Sequence, residues 1–193
     1  MTEPHRKTLQ RYHDPGDIHE LTFSVYKRQK LLTNNPWRAK LSECITAACE
    51  EIGCFLGAFV YMPEHVHLLI WGIQAKEQVG RFLAKVKQPL SSKVKSDLVA
   101  AKSRLLPRLT IQERPGKTVF RFWQEGAGYD RNLQTQIAVQ SSIDYIHWNP
   151  VKRKLCQKPR DWRWSSARYY ESEGKEVDPL HPAITFLPRE FWL

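Results

Sequence analysis

At 193 residues the chain has room for one compact domain and not comfortably for two. Its 30 Lys and Arg against 20 Asp and Glu leave a formal charge of +10, and a pI near 9.6 fits a surface that binds a polyanion. No apolar run approaches a membrane span and the opening MTEPHRK lacks the apolar stretch of a signal peptide, so a cytoplasmic protein with no membrane partner is expected. The four cysteines (Cys44, Cys49, Cys54, Cys156) form no Cys-x-x-Cys pair and read as small buried thiols rather than a zinc knuckle or disulfide framework.

In chain order, residues 1–17 are a polar, basic arm. Residues 18–26 alternate as a strand, with Ile18, Leu21, Phe23 and Val25 apolar and Thr22, Ser24 and Tyr26 between them. Asn34-Asn35-Pro36 supplies a cap and a proline for a first helical turn, and the helix should run to Ile52 with Gly53 closing it. Residues 54–61 make a second strand, and residues 62–64 turn into a third that ends at Gly72. Residues 76–102 are helix-rich, with a break or kink expected at Pro89. Residues 106–117 read as loop and 119–123 as a fourth strand. Ile137, Ala138, Ile143 and Ile146 then give one apolar stripe to a helix over 133–148. The order β-α-β-β-α-β-α predicts an α+β sandwich, an antiparallel sheet covered by helices mainly on one face. The segment 171–193 has apolar side chains without periodicity, and either packing along the domain or covering a groove is open to it.

The third strand carries the most informative residues, His65 and His67, inside an apolar run. On a strand, residues two apart share a face, whereas on a helix they would sit roughly 200° apart. The two imidazoles can therefore reach one divalent cation, although a bare His-x-His is more often a pair of hydrogen-bonded strand residues. The second informative stretch is IDYIHWNP at 143–150, where Tyr145 and Asn149 stand four apart and so share a helix face. Pro150 disfavours helical geometry at Asn149, which would place it in a frayed last turn; taken alone, a buried tyrosine and a C-terminal cap are the commoner explanation of these two residues. Together the pieces offer a three-ligand site for Mg2+ or Mn2+ and a phenol beside it. Tyrosine is a poor nucleophile near neutral pH because its pKa is near 10, but a Lewis acid on a target phosphate compensates. The chemistry suggested is transesterification of a nucleic-acid phosphodiester.

Four separated motifs, His65-Val-His67, FWQEG at 122–126 with GYDR at 128–131, YIHWNPV at 145–151 and DWRWSSAR at 161–168, resemble the REP-associated tyrosine transposases, relatives of the single-tyrosine HUH transposases. The resemblance runs in order over roughly residues 12–170, so an HUH domain at 18–170 with a C-terminal tail at 171–193 is expected. It implies a ferredoxin-like core, a cation held by His65, His67 and Asn149, and Tyr145 as the nucleophile. Asn149 is shorter than the Gln that many mobile relatives carry there. The resemblance further implies a single-stranded DNA partner bearing a hairpin, a 5′-phosphotyrosine intermediate, nucleoid association, and either a monomer or a homodimer.

Between Val151 and Arg168 stand seven basic residues and one acid, Asp161, with Trp162 and Trp164 interleaved. Such a mixture suits phosphate contact with base stacking, or simply a solvated face. The expected DNA contacts are Arg11, Arg131, Lys152, Arg153, Lys154 and Arg163. Glu64 and His147 neighbour the ligands in sequence but are expected to point elsewhere. Three other classes stay in view. A hairpin-binding protein derived from a transposase would bind without cutting; an amidohydrolase barrel would need a longer chain; an RNA-binding module would not need the Tyr145/Asn149 helix.

Overall fold

The structure, a computed structural model, describes residues 17–73, 75–126 and 128–192, so Arg11 and the rest of the basic arm up to Gly16 lie outside the described residues. Strand β1 (Asp17–Ser24) leads to helix α1 (Asn35–Ile52). The Asn34 side chain accepts a hydrogen bond from the Trp37 N–H, Pro36 sits in the first turn, and Gly53 ends the helix at φ 76°, a left-handed conformation that glycine adopts without a Cβ penalty. Strands β2 (Phe55–Tyr61) and β3 (His65–Ile73) follow, then helix α2 (Lys76–Ala100).

All pairings in the main sheet are antiparallel, in the order β2-β3-β1-β6, with β6 spanning Tyr129–Leu133. This is the ferredoxin-like arrangement expected from the sequence, but its fourth strand is not the one predicted. Of residues 119–123, Val119 and Phe120 belong instead to a separate ribbon of β4 (Thr110–Arg114) and β5 (Lys117–Phe120), preceded by the short helix α3 (Leu105–Leu109), and Trp123 makes only an isolated bridge to Val25. The segment expected as loop is thus ordered by its own pairing. Gly128 shows why the chain reaches the main sheet where it does. At φ 80° it passes so close to the Thr22 carbonyl oxygen that a Cβ would have no room.

Prolines do not stop the helices. Pro89 removes one backbone bond from α2 at a cost of about 3 kcal/mol, yet Val79, Phe82, Leu83, Val86, Leu90, Val94 and Leu98 are all buried along it. Each such burial contributes roughly 1.5–3 kcal/mol, so packing wins and the helix runs on. Helix α4 (Gln136–Lys152) likewise continues through Pro150, which is itself buried, and Asn149 lies inside the helix rather than at a frayed end.

Strand alternation sorts the core into two. Leu21, Phe23, Leu56, Phe59, Val66, Leu68 and Ile70 join side chains of α1 and α2 on one face. On the other, Ile18, Ala58, Val60, Leu69 and Leu133 meet Val139, Ile143 and Ile146 of α4. The C-terminal segment packs along the domain. Thr185 N–H bonds Leu56 O, Ala183 N–H bonds Thr46 Oγ1, and Leu187 is buried in the second cluster. Among the described residues, no helix is long and apolar enough to cross a membrane.

Candidate active site

The α4 face of the sheet turns from apolar to polar toward one end, and His65 and His67 lie at that end, both buried. Register fixes their orientation. Thr22 of β1 sits directly opposite His67, and Thr22 Oγ1 lies 2.7 Å from His67 Nδ1. Glu64 Oε1 lies 3.2 Å from His65 Nδ1. With each Nδ1–H donating to its oxygen, both Nε2 atoms keep their lone pairs. Those two nitrogens face each other 3.0 Å apart. Burial, followed by the charge of its neighbours His65, Arg28 and Arg153, lowers His67 to about 3, and burial lowers His65 against the pull of Glu64. Both rings are neutral at physiological pH, the state a metal ligand requires.

Helix α4 brings the remaining groups. Asn149 is buried with Nδ2 3.3 Å from His67 Nε2, while its Oδ1 is buried without a hydrogen-bond partner. Turning the amide over would aim that oxygen at the imidazoles. Two ligands about 2.1 Å from an octahedral ion and at right angles to each other are roughly 3.0 Å apart, so two lone pairs and an orphaned amide oxygen fit Mg2+ or Mn2+. Among the described residues, no cluster of three His, Cys, Asp or Glu side chains could hold a metal, and the Asn149 amide is the group that would add a third ligand to the two imidazoles. One turn before Asn149, Tyr145 is 41% exposed, with its ring centroid 5.3 Å from that of His67. The Lys152 ammonium stands 5.3 Å from the Tyr145 ring centroid.

A cleft of about 520 Å³ opens over these groups, lined by Glu20, Thr22, Arg28, His65, His67, Tyr129, Arg131, Ser141, Ser142 and Tyr145. Burial raises the Glu20 carboxyl, with Ser142 and Arg131 opposing the rise. Glu64, expected to point away, reaches the site's edge. Its carboxylate accepts from Arg153 Nη1 at 2.5 Å as well as facing His65. Burial alone would raise Glu64, but Arg153 and His65 outweigh it and hold it below its ordinary value. His147 does point elsewhere, with Nε2 2.8 Å from Ser166 Oγ and its ring against Tyr170.

Of the two tryptophans of the basic run, Trp164 is closed into the core and Trp162 is partly buried against it. Trp164 is buried and its indole N–H donates to Asn35 Oδ1; Trp162 donates to Tyr61 O; the Arg38 guanidinium lies 5.5 Å from each ring. The run's apolar side chains close the core, which its aromatic and basic composition does not reveal. Arg163 is paired with Asp178 at 2.8 Å, whereas Arg131 lines the cleft 4.0 Å from Glu20. Exposed aromatics lie instead at Tyr129 on the cleft and Trp148 on α4. The sequence reading also missed Arg28, whose only signal was a basic residue shortly after the first strand.

A sequence model of the IS200-like transposases matches residues 17–110, which hold both histidines and their strand partner Thr22. Over those residues, just under half of the chain, it is similar to the IS200-like transposases. Among solved structures, that of a REP-associated tyrosine transposase bound to a REP hairpin has the same fold. It is 18% identical with a TM-score of 0.65, over 95% of this chain and 94% of that one. A provisionally assigned transposase from Deinococcus radiodurans R1 is 17% identical with a TM-score of 0.43, over 74% of this chain and 96% of that one. Among curated proteins, none matches. The IS200-like match ends before α4, so it does not include Tyr145 or Asn149.

Proposed function

We propose that this chain is an IS200-like transposase, a metal-dependent endonuclease and strand transferase for single-stranded DNA at hairpin-bearing, REP-like sequences, with Tyr145 as nucleophile. The observation that carries this reading is a cleft lined by two imidazoles with their Nε2 atoms 3.0 Å apart and an exposed phenol, with the buried Asn149 amide 3.3 Å from His67 Nε2 behind them. A Mg2+ or Mn2+ ion held by His65, His67 and Asn149 would supply Lewis-acid stabilisation of charge on the scissile phosphate. Tyr145 attacks phosphorus in line. The Oη–P bond forms, the P–O3′ bond breaks, the phenol gives up its proton and the departing 3′-oxygen takes one. The products are a 5′-phosphotyrosyl protein and a free 3′-OH, and attack by another 3′-OH reverses the step to join strands. One ester is exchanged for another, so no external energy source is needed.

The chain's other groups position the DNA. Lys152 and Lys154 at the end of α4 contact phosphates, and Tyr129 and Trp148 offer exposed rings for bases. Because α4 packs on its own sheet, one chain supplies every group of the site and a monomer suffices.

The test is incubation with hairpin-bearing single strands from the protein's own genome. Manganese should give a covalent adduct that survives denaturing electrophoresis, and a chelator should abolish it. Tight binding without an adduct in manganese or magnesium would instead identify a hairpin-binding protein that does not cut.

A further inference from the structure

Just beyond β1, the turn Tyr26–Arg28 holds two consecutive non-glycine residues in left-handed conformation, Lys27 at φ 53° and Arg28 at φ 51°. Side chains with a Cβ rarely adopt it, and such strain persists only where the surroundings over-determine it. Here they do. Val25 N–H donates to Glu64 O, Tyr26 N–H to Phe122 O, Arg28 N–H to Val25 O, and Lys27 N–H to the Gln124 side chain. The segment that opens with Phe122 and the residue before His65 therefore clamp the turn from both sides. What the turn delivers is the Arg28 side chain, which lines the same cleft as His65, His67 and Tyr145.

The cations around the cleft differ in what already engages them. Arg153 is held by Glu64, Arg131 faces Glu20, and Lys152 lies over the Tyr145 ring. Arg28 is exposed and, among the described residues, has no carboxylate partner. A free guanidinium fixed at the mouth of a cleft that holds a nucleophile is a preorganised binding group for an anion, and its planar fork matches two phosphate oxygens.

We propose that Arg28 is a catalytic residue that binds the non-bridging oxygens of the scissile phosphate and offsets the charge growing on them as the Tyr145 Oη–P bond forms and the P–O3′ bond breaks. The assignment rests on the transesterification reading. It gives the FWQEG motif a purpose, since Gln124 and Phe122 hold the strained turn that aims the guanidinium.

The experiment compares adduct formation on two hairpin-bearing oligonucleotides, one natural and one with a methylphosphonate at the cleaved position, which removes the charged oxygen. Arg28→Ala should slow the reaction about 100-fold on the natural strand and about threefold or less on the methylphosphonate. Arg28→Lys should recover part of the loss on the natural strand. An equal loss on both substrates, or no loss on the natural one, overturns the proposal. Should the wild-type chain form no adduct on either, the transesterification reading fails on its own account. Arg28 is then judged by equilibrium binding, with a single methylphosphonate moved along the strand. One position should weaken wild-type binding and leave Arg28→Ala unaffected; the absence of any such position overturns it.

Discussion

The two faces of the central sheet use the same strands for opposite ends. Toward α1 and α2, Val66, Leu68 and Ile70 of β3 enter a continuous apolar core with Leu21 and Phe23 of β1. Toward α4, the neighbouring residues are His65, His67 and Leu69 on β3 and Glu20 and Thr22 on β1. Much of this second face is apolar, where Ile18, Val60, Leu69 and Leu133 pack with Ile143 and Ile146. Beside it the face is polar, where Thr22 lies against His67 and Glu64 against His65, and a cleft opens over both imidazoles. The difference teaches that a period of two lets one strand hold the fold with one set of side chains and present chemistry with the other. The first face makes the second rigid.

That division can be broken by adjacent substitutions. His67→Ala should abolish manganese-dependent adduct formation, because the remaining groups cannot hold a hard cation against water. Its unfolding midpoint in urea should move less than that of a core variant, since the buried ring borders the cleft rather than the apolar core. Leu68→Ala, one residue on and on the opposite face, should lower unfolding stability by about 2–5 kcal/mol through the cavity it leaves. The fraction that remains folded should still form adduct at close to the normal rate. If instead both variants change stability alike and chemistry alike, the two faces do not divide the work.

A finer cut lies within the polar end. Thr22→Val keeps the shape of the side chain but removes the oxygen opposite His67 Nδ1. Losing such an orienting partner typically weakens metal affinity or activity 10- to 100-fold, which a manganese titration of adduct formation would read. The smallest effects separate the cations of α4's end. Changing Lys152 and Lys154 to Gln should weaken single-strand binding broadly and flatten its logarithmic salt dependence by about 0.7 per lost contact. Arg153→Gln should act mainly on adduct formation, because Arg153 secures Glu64 beside His65. An identical change in salt dependence for Arg153→Gln would show that Arg153 also reads phosphate.

Much of this arrangement was legible in the sequence where a local rule dominates. The Asn34 cap, Pro36 and Gly53 delimit α1, and the two-residue spacing of His65 and His67 puts them on one face. The four-residue spacing of Tyr145 and Asn149 likewise places both on the helix side that meets those histidines. Legibility failed where tertiary contacts outweigh local preference. Strand β6, Tyr129–Leu133, has almost no apolar alternation because its partners are polar: Asp130 meets His19 and Arg131 faces Glu20. A hydrophobic pattern cannot announce such an edge strand, so the more apolar stretch near 119–123 looked like the better candidate. Pro150 suggested a helix end, but its burial and the apolar stripe behind it keep α4 helical past Asn149. Trp162 and Trp164 look like nucleic-acid contacts from composition alone, and only the fold shows that their indole N–H groups are spent on Tyr61 and Asn35. Glu64 and Arg28 gave no signal by spacing, because each reaches the site through a turn.

The central claim is that Tyr145 becomes covalently joined to DNA with the help of a cation held by the histidines. The most direct measurement is mass spectrometry of protease-digested protein after reaction with a hairpin-bearing single strand in manganese. The account predicts a peptide carrying a 5′-phosphonucleotide on Tyr145, present in manganese, absent in chelator and absent from Tyr145→Phe, whose hairpin affinity stays near that of the wild type. A modified peptide elsewhere in the chain, or the same yield from Tyr145→Phe or in chelator, would contradict it.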